Sequence, residues 1–182
     1  MKPYQFAILV GRFQVLHLGH VDMIRKAQAL ADRVGLLVGS SQEAGTAKNP
    51  LSYAGREEAL RAVFGDTVEI RPLPDIGVGN NSTWGDYVLT RVETEFGRLP
   101  DLLVTGREGR RVDWFSGPRG RGIAELYVPK TIEISATEMR AFLEADDRVS
   151  WQQYAPEPLH PLYPMLRAAV LVAKDNLETA SL

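Results

Sequence analysis

His17 and His20 stand three residues apart behind Gly11-Arg12-Phe13-Gln14, with Gly19 between them. Imidazole N–H groups donate hydrogen bonds to phosphate oxygens, and more strongly when charged. An arginine and glycines beside them complete the residue types that a phosphate cradle needs. The bland alternative is one helix-capping and one surface histidine. Zinc is the other use of two close imidazoles. Only His160 remains as a third, no HExxH spacing occurs and cysteine is absent, so no metal site is expected. A second cluster is Ile134-Ser135-Ala136-Thr137-Glu138-Met139-Arg140. Ser135 with Glu138 reads first as a capping box. Two hydroxyls at a helix N-terminus also favour an anion, and Arg140, one turn in, can fork onto phosphate oxygens. The two clusters together supply two sets of donors for one polyphosphate.

Weaker signals surround them. Lys48-Asn49-Pro50 and Arg56 place two cations around a loop that leads into a helix, and taken alone they read more readily as a solvated basic loop. Asn81 and Trp84, three apart at a helix start after Asn80, offer an amide and a flat aromatic face. They suit an aromatic, amide-bearing ligand, or serve as a cap and a core residue. Arg107, Arg110, Arg111, Arg119 and Arg121, spaced by glycines, read as a solvated or lid-like loop. No phosphate-binding loop with a terminal Lys-Ser/Thr is present, and Gly77-x-Gly79 is a poor dinucleotide fingerprint.

Strand and helix signals alternate around these residues. Phe6–Val10 reads as a buried strand, and apolar residues recur at helical spacing from Val21 through Ala31 to Val34. Val34–Gly39, Val68–Leu73 and Asp101–Thr105 carry further strand signals, with helices at Tyr53–Phe64 and Trp84–Phe96. Loops are expected at Ser40–Ser52, Asp75–Thr83 and Arg107–Gly122. Short strands follow at Leu126–Pro129 and Thr131–Ile134, then a helix at Thr137–Leu143. A proline-rich connector leads to a closing helix at Tyr163–Leu177. Repeated β-then-α units imply an α/β fold: a doubly wound, mainly parallel sheet with helices on both faces. In such sheets the ligand lies beyond the carboxyl ends of the strands, where these loops emerge. One domain over residues 1–182 is expected, with its core at about 5–145 and a C-terminal helical segment at about 146–182.

Bulk properties narrow the class. A net charge of −2 argues against a nucleic-acid partner, and no apolar run is of membrane-spanning length. Absent cysteines and the lack of a signal-type core make the cytoplasm the expected location.

The chain resembles the HxGH nucleotidylyltransferases through Gly11-Arg12-Phe13-Gln14, His17-x-Gly19-His20 and Ile134-Ser135-x-Thr137-x-x-Arg140. Within them, Gly39-Ser40-Ser41-Gln42, Lys48-Asn49-Pro50, Arg56-Glu57 and the Asn81/Trp84 pair resemble the nicotinamide mononucleotide adenylyltransferases. It is similar to the archaeal enzymes and to the adenylyltransferase half of bacterial proteins that also carry a Nudix domain. The likeness runs from about residue 5 to 145. Departures fall at Val15-Leu16, at Leu51-Ser52-Tyr53 and in the loop from Arg107. No Nudix motif is found, so a single activity is expected.

The resemblance implies a Rossmann-like fold and adenylyl transfer from ATP to nicotinamide mononucleotide, giving NAD and pyrophosphate. It implies catalytic roles for His17, His20 and Arg140. Gly11, Arg12, Phe13, Gly19, Gly106, Ser135 and Thr137 would bind ATP. Lys48, Arg56, Asn81 and Trp84 would bind the mononucleotide. Magnesium would ride on the ATP phosphates without protein ligands, and a homo-oligomer of undetermined size is expected. Two alternatives stay open. One is the same chemistry on nicotinate mononucleotide, phosphopantetheine or an alcohol phosphate; the other is a non-catalytic nucleotide sensor.

Overall fold

Phe6-Ala7-Ile8-Leu9 and Leu36-Leu37-Val38 are apolar at every position, and all are buried. Unbroken apolar runs of this kind belong to parallel strands buried on both faces. In the computed structural model, which describes residues 1–180, they form β1 (Tyr4–Gly11) and β2 (Ala31–Gly39), paired in parallel from Tyr4/Ala31 to Gly11/Val38. β3 (Glu69–Leu73) pairs with β2, β4 (Leu102–Thr105) with β1, and β5 (Ala124–Tyr127) with β4, each in parallel. The five-stranded order is β3-β2-β1-β4-β5. Strand order reverses beside β1, and ligands of open α/β sheets bind at such a switch point, outside the carboxyl ends.

Helix α1 (Leu18–Leu30) follows β1. Ala31 and Val34 fit its spacing but belong to β2, because their backbones pair with Tyr4 and Ala7 of β1. The remaining helices are α2 (Tyr53–Phe64), α3 (Ser82–Phe96), α4 (Arg110–Trp114), α5 (Ala136–Glu144), α6 (Arg148–Tyr154) and α7 (Tyr163–Thr179). No helix among the described residues is long and apolar enough to cross a membrane.

The chain forms two compact units, each built from three separated segments. The first comprises Met1–Gly11, Asp22–Gly39 and Val68–Lys130. It holds the sheet, onto which α3 lays Val88, Leu89, Val92 and Phe96. Gly35 lets the rings of Phe96 and Phe6 close over β2: a Cβ there would lie 2.9 Å and 3.0 Å from them. The segment expected as a solvated loop, Arg107–Gly122, is instead folded down. α4 buries Trp114, followed by Phe115, and Arg111 donates to the carbonyls of Gly120 and Ile123. Arg119 bonds Thr90 and Glu93.

The second unit comprises residues 12–21 and 40–67 and the chain from Thr131 onward. Ser52 caps α2 by accepting from the Gly55 N–H, and Gly65 closes it. Thr131–Ile134, expected as a strand, pairs with no other strand. α6 precedes the proline-rich connector, and its Trp151 is completely buried against the rings of His160 and Tyr163. Pro164 sits in the first turn of α7, where its missing N–H costs nothing.

Two glycines give a paired test of the first unit. A Cβ at Gly85 of α3 would fall 1.7 Å from the Trp114 carbonyl oxygen, whereas one at Gly122 meets nothing within 4 Å. Gly85→Ala is expected to cost at least about 2 kcal/mol in urea unfolding, and Gly122→Ala to stay within about 0.5 kcal/mol of the parent.

Candidate active site

β1 hands the chain to Arg12, which is exposed, and then to Phe13, buried with φ 51°. Gln14 follows, also buried. Its side chain behaves as a second backbone: Nε2 donates to the Leu51 carbonyl at 2.8 Å and Oε1 accepts from the Leu51 N–H at 2.9 Å. The Gln14–Val15 peptide is cis. His17 then opens α1, its carbonyl accepting from the N–H groups of His20 at 2.9 Å and Val21 at 3.2 Å.

The two imidazoles lie 3.8 Å apart at 30°. Nδ1 of His17 accepts from the Gly19 N–H at 3.1 Å, and Nδ1 of His20 accepts from the His17 N–H at 3.4 Å. A backbone N–H is always a donor, so each Nδ1 carries a lone pair and each neutral ring keeps its proton on Nε2. The backbone thus sets the tautomer of both rings. Gly19 suits the same contact, because a Cβ there would crowd the His17 ring at 3.0 Å. Phe13 backs the pair, edge-on to His20 at 5.2 Å. Burial, then the neighbouring His17, holds the His20 pKa well below the ordinary imidazole value.

Arg12 stands in the second unit with Arg56 and Arg140. Arg140 of α5 donates to the Gln14 carbonyl and, at 3.1 Å, to the Thr137 hydroxyl. Burial and then Arg12 lower its pKa. Arg56 of α2 is completely buried, and its pKa falls to about 10, through burial first and Arg12 second. Arg12 therefore presses like charge on both. Positive charges gathered against their own repulsion, beside helix-borne donors, are what an anionic ligand would neutralise. Ser135 caps α5, its hydroxyl donating to Glu138 at 2.6 Å and accepting from the Glu138 N–H at 3.3 Å. The capping reading of Ser135 and Glu138 is therefore what the geometry shows.

Lys48 is exposed in a turn of the same unit. Beside it Asn49 is buried; its N–H bonds the Thr46 hydroxyl at 3.0 Å and its amide bonds Glu43 at 2.5 Å. The same turn is latched from α7, where Asn176 donates to the Gly45 carbonyl at 3.0 Å. Arg56 was expected to touch a ligand; with no exposed surface, it spends its guanidinium on backbone carbonyls instead.

The first unit holds Gly11, Gly106, Asn81 and Trp84. Gly11 closes β1, and Gly106 is exposed at the end of β4, where a Cβ would crowd the Met23 sulfur at 3.2 Å. Asn81 caps α3: Oδ1 accepts from the Trp84 N–H at 3.1 Å and Nδ2 donates to the Val78 carbonyl at 2.7 Å. Trp84 is 9% exposed and packs against Tyr87 and edge-on to Trp114, so most of its ring belongs to the core. Gln14 is the residue that reading by chemical type passed over, since an amide carries no charge and no acid–base role. Among the described residues no group of three or more His, Cys, Asp or Glu side chains is placed to share a metal ion.

A family model described as cytidylyltransferase-like matches residues 8–108. The nicotinamide-nucleotide adenylyltransferase of Thermococcus kodakarensis is 37% identical over 155 residues, covering 82% of this chain and 77% of its own length. That of Ignicoccus hospitalis is 32% identical over 159 residues, covering 82% and 85%. Among solved structures, a bifunctional NMN adenylyltransferase/ADP ribose pyrophosphatase from Francisella tularensis matches with a TM-score of 0.78 at 21% identity. The match covers 98% of this chain and 55% of that one, so this chain spans about half of that structure. At that identity the likeness shows the fold alone. That bifunctional protein is also solved with AMP and a Mn ion, at a TM-score of 0.74.

The lowered pKa of His20 has a measurable consequence. Its pKa in the fold lies below 6.5, so the unfolded chain takes up the proton first as pH falls. Stability contributed at neutral pH is then lost below pH 6.5. The urea midpoint is expected to drop between pH 7.5 and 5.5, and to drop less in His20→Asn.

Proposed function

Because this chain belongs to the cytidylyltransferase-like family, we propose that it transfers the adenylyl group of ATP to nicotinamide mononucleotide, forming NAD and pyrophosphate. The observation that carries this reading is the pair of imidazoles 3.8 Å apart, with both Nδ1 atoms taken by backbone N–H groups. The adenylyltransferase relatives at 37% and 32% identity support the choice of substrates.

The mononucleotide phosphate is already ionised, so attack on the α-phosphorus needs no general base. One of its oxygens forms the new P–O bond while the bond from the α-phosphorus to the bridging oxygen breaks, and that oxygen leaves with pyrophosphate. The protein must hold two anions in line and stabilise the charge that builds between them. In this reading His17 and His20 offer their Nε2–H groups to the phosphate oxygens of the transition state. Backbone-fixed donors of this kind contribute about 2.7–4 kcal/mol each. Arg140 has donors beyond those given to Gln14 and Thr137, and these meet the β- and γ-phosphates with Thr137 and the N-terminus of α5. Arg12 bridges the phosphates of both substrates, and Lys48 adds charge on the mononucleotide side. Asn81 and the exposed margin of Trp84 are assigned to the nicotinamide group. Gly11 and Gly106 let backbone approach adenosine. Magnesium would ride on the triphosphate as it binds.

Pyrophosphate release with ATP and a panel of acceptors tests this reading. Nicotinamide mononucleotide is expected to be the preferred acceptor, with NAD as product; no release with any acceptor overturns the reading. His20→Ala is expected to lower kcat by about 100- to 1,000-fold while the far-UV circular dichroism spectrum of the parent is retained. Trp84→Phe, which preserves the core, is expected to raise KM for the mononucleotide more than KM for ATP.

A further inference from the structure

Arg56 stands where three turns meet. Its Nη1 donates to the Arg12 carbonyl at 3.1 Å and its Nη2 to the Ser40 carbonyl at 3.1 Å. Its Nε reaches the Ser52 carbonyl, at the cap of its own helix, at 3.3 Å. The side chain has no exposed surface. A guanidinium is a rigid planar fork whose donors point in several directions at once, and a lysine ammonium cannot reproduce that geometry.

Two of those carbonyls belong to backbone under constraint. Arg12 precedes Phe13, with φ 51°, and Ser40 itself has φ 48°. Side chains other than glycine keep left-handed conformations only where the surroundings hold them there. One buried group therefore ties together the turn after β1 and the turn after β2. The cost is a cation out of water beside another cation, Arg12, which Glu43 offsets only in part, since the pKa still falls to about 10. A merely structural cross-link would be built more cheaply from neutral groups. A cation here also adds to the field that Arg12 presents.

We propose that Arg56 is a positioning residue for the transfer reaction: untouched by substrate, it fixes the Arg12 and Ser40 turns so that the Arg12 guanidinium meets the transferring phosphate. This rests on the adenylyl-transfer reading given above.

A double-variant cycle tests it, with kcat, KM and melting temperature measured for the parent, Arg12→Ala, Arg56→Lys and the double variant. Arg56→Lys is expected to lower kcat on the order of 10- to 100-fold, with KM for ATP changed by no more than about threefold. In the Arg12→Ala background the same substitution is expected to change kcat by no more than about twofold. Should Arg56→Lys fail to fold, Arg56→Gln, which keeps one planar donor, runs the same cycle. An active parent with multiplying single effects, or an Arg56→Lys variant as fast as the parent, overturns the positioning role alone. A parent that makes no NAD from ATP and nicotinamide mononucleotide overturns the adenylyl-transfer reading, and this proposal with it.

Discussion

Parallel pairing of β1 with β2 is the constraint on which the rest depends. Strands that run side by side in one direction must both release their chains at the same edge, and here they do so at Gly11 and Gly39. The residues that follow, Arg12 and Ser40, are thereby obliged to turn sharply, and neither turn is made by glycine. Phe13 and Ser40 take left-handed backbone angles instead. The polar chemistry of the second unit begins at these turns.

Much of that chemistry consists of side chains standing in for backbone. Gln14 pairs with Leu51 as a strand residue would, Arg56 collects carbonyls, and Arg140 reaches the Gln14 carbonyl from α5. Irregular backbone leaves N–H and C=O groups that must find partners when buried. Meeting that demand with long polar side chains makes the loops rigid without adding secondary structure. It also concentrates positive charge, because arginine offers the most donors per side chain.

The sheet and its long helices were legible in the residues. Unbroken apolar runs marked β1, β2 and β4, and Tyr53–Phe64 was bounded by its own cap and glycine. The short helices were not: α4 and α6 are too brief to show a period, and they are made by Trp114 and Trp151 finding buried sites. β5 was displaced by two residues because an edge strand of four has little pattern to read. At the site, the histidine pair and the Ser135 cap followed from spacing. The burial of Arg56 did not, since charged residues are ordinarily exposed and only the fold shows three carbonyls converging on one. Trp84 and Asn81 were legible as a pair, though not as a core residue and its helix cap.

The latch from Asn176 to Gly45 spans 131 residues, and the bond from Arg140 to Gln14 spans 126. By contrast, every segment of the sheet-bearing unit has been made once Lys130 is added. Synthesis from the N-terminus therefore completes the two units at different times. The sheet can close on a nascent chain whose histidine turn and Lys48 turn still lack their partners. Those turns acquire their final partners only once Arg140 and Asn176 have been added.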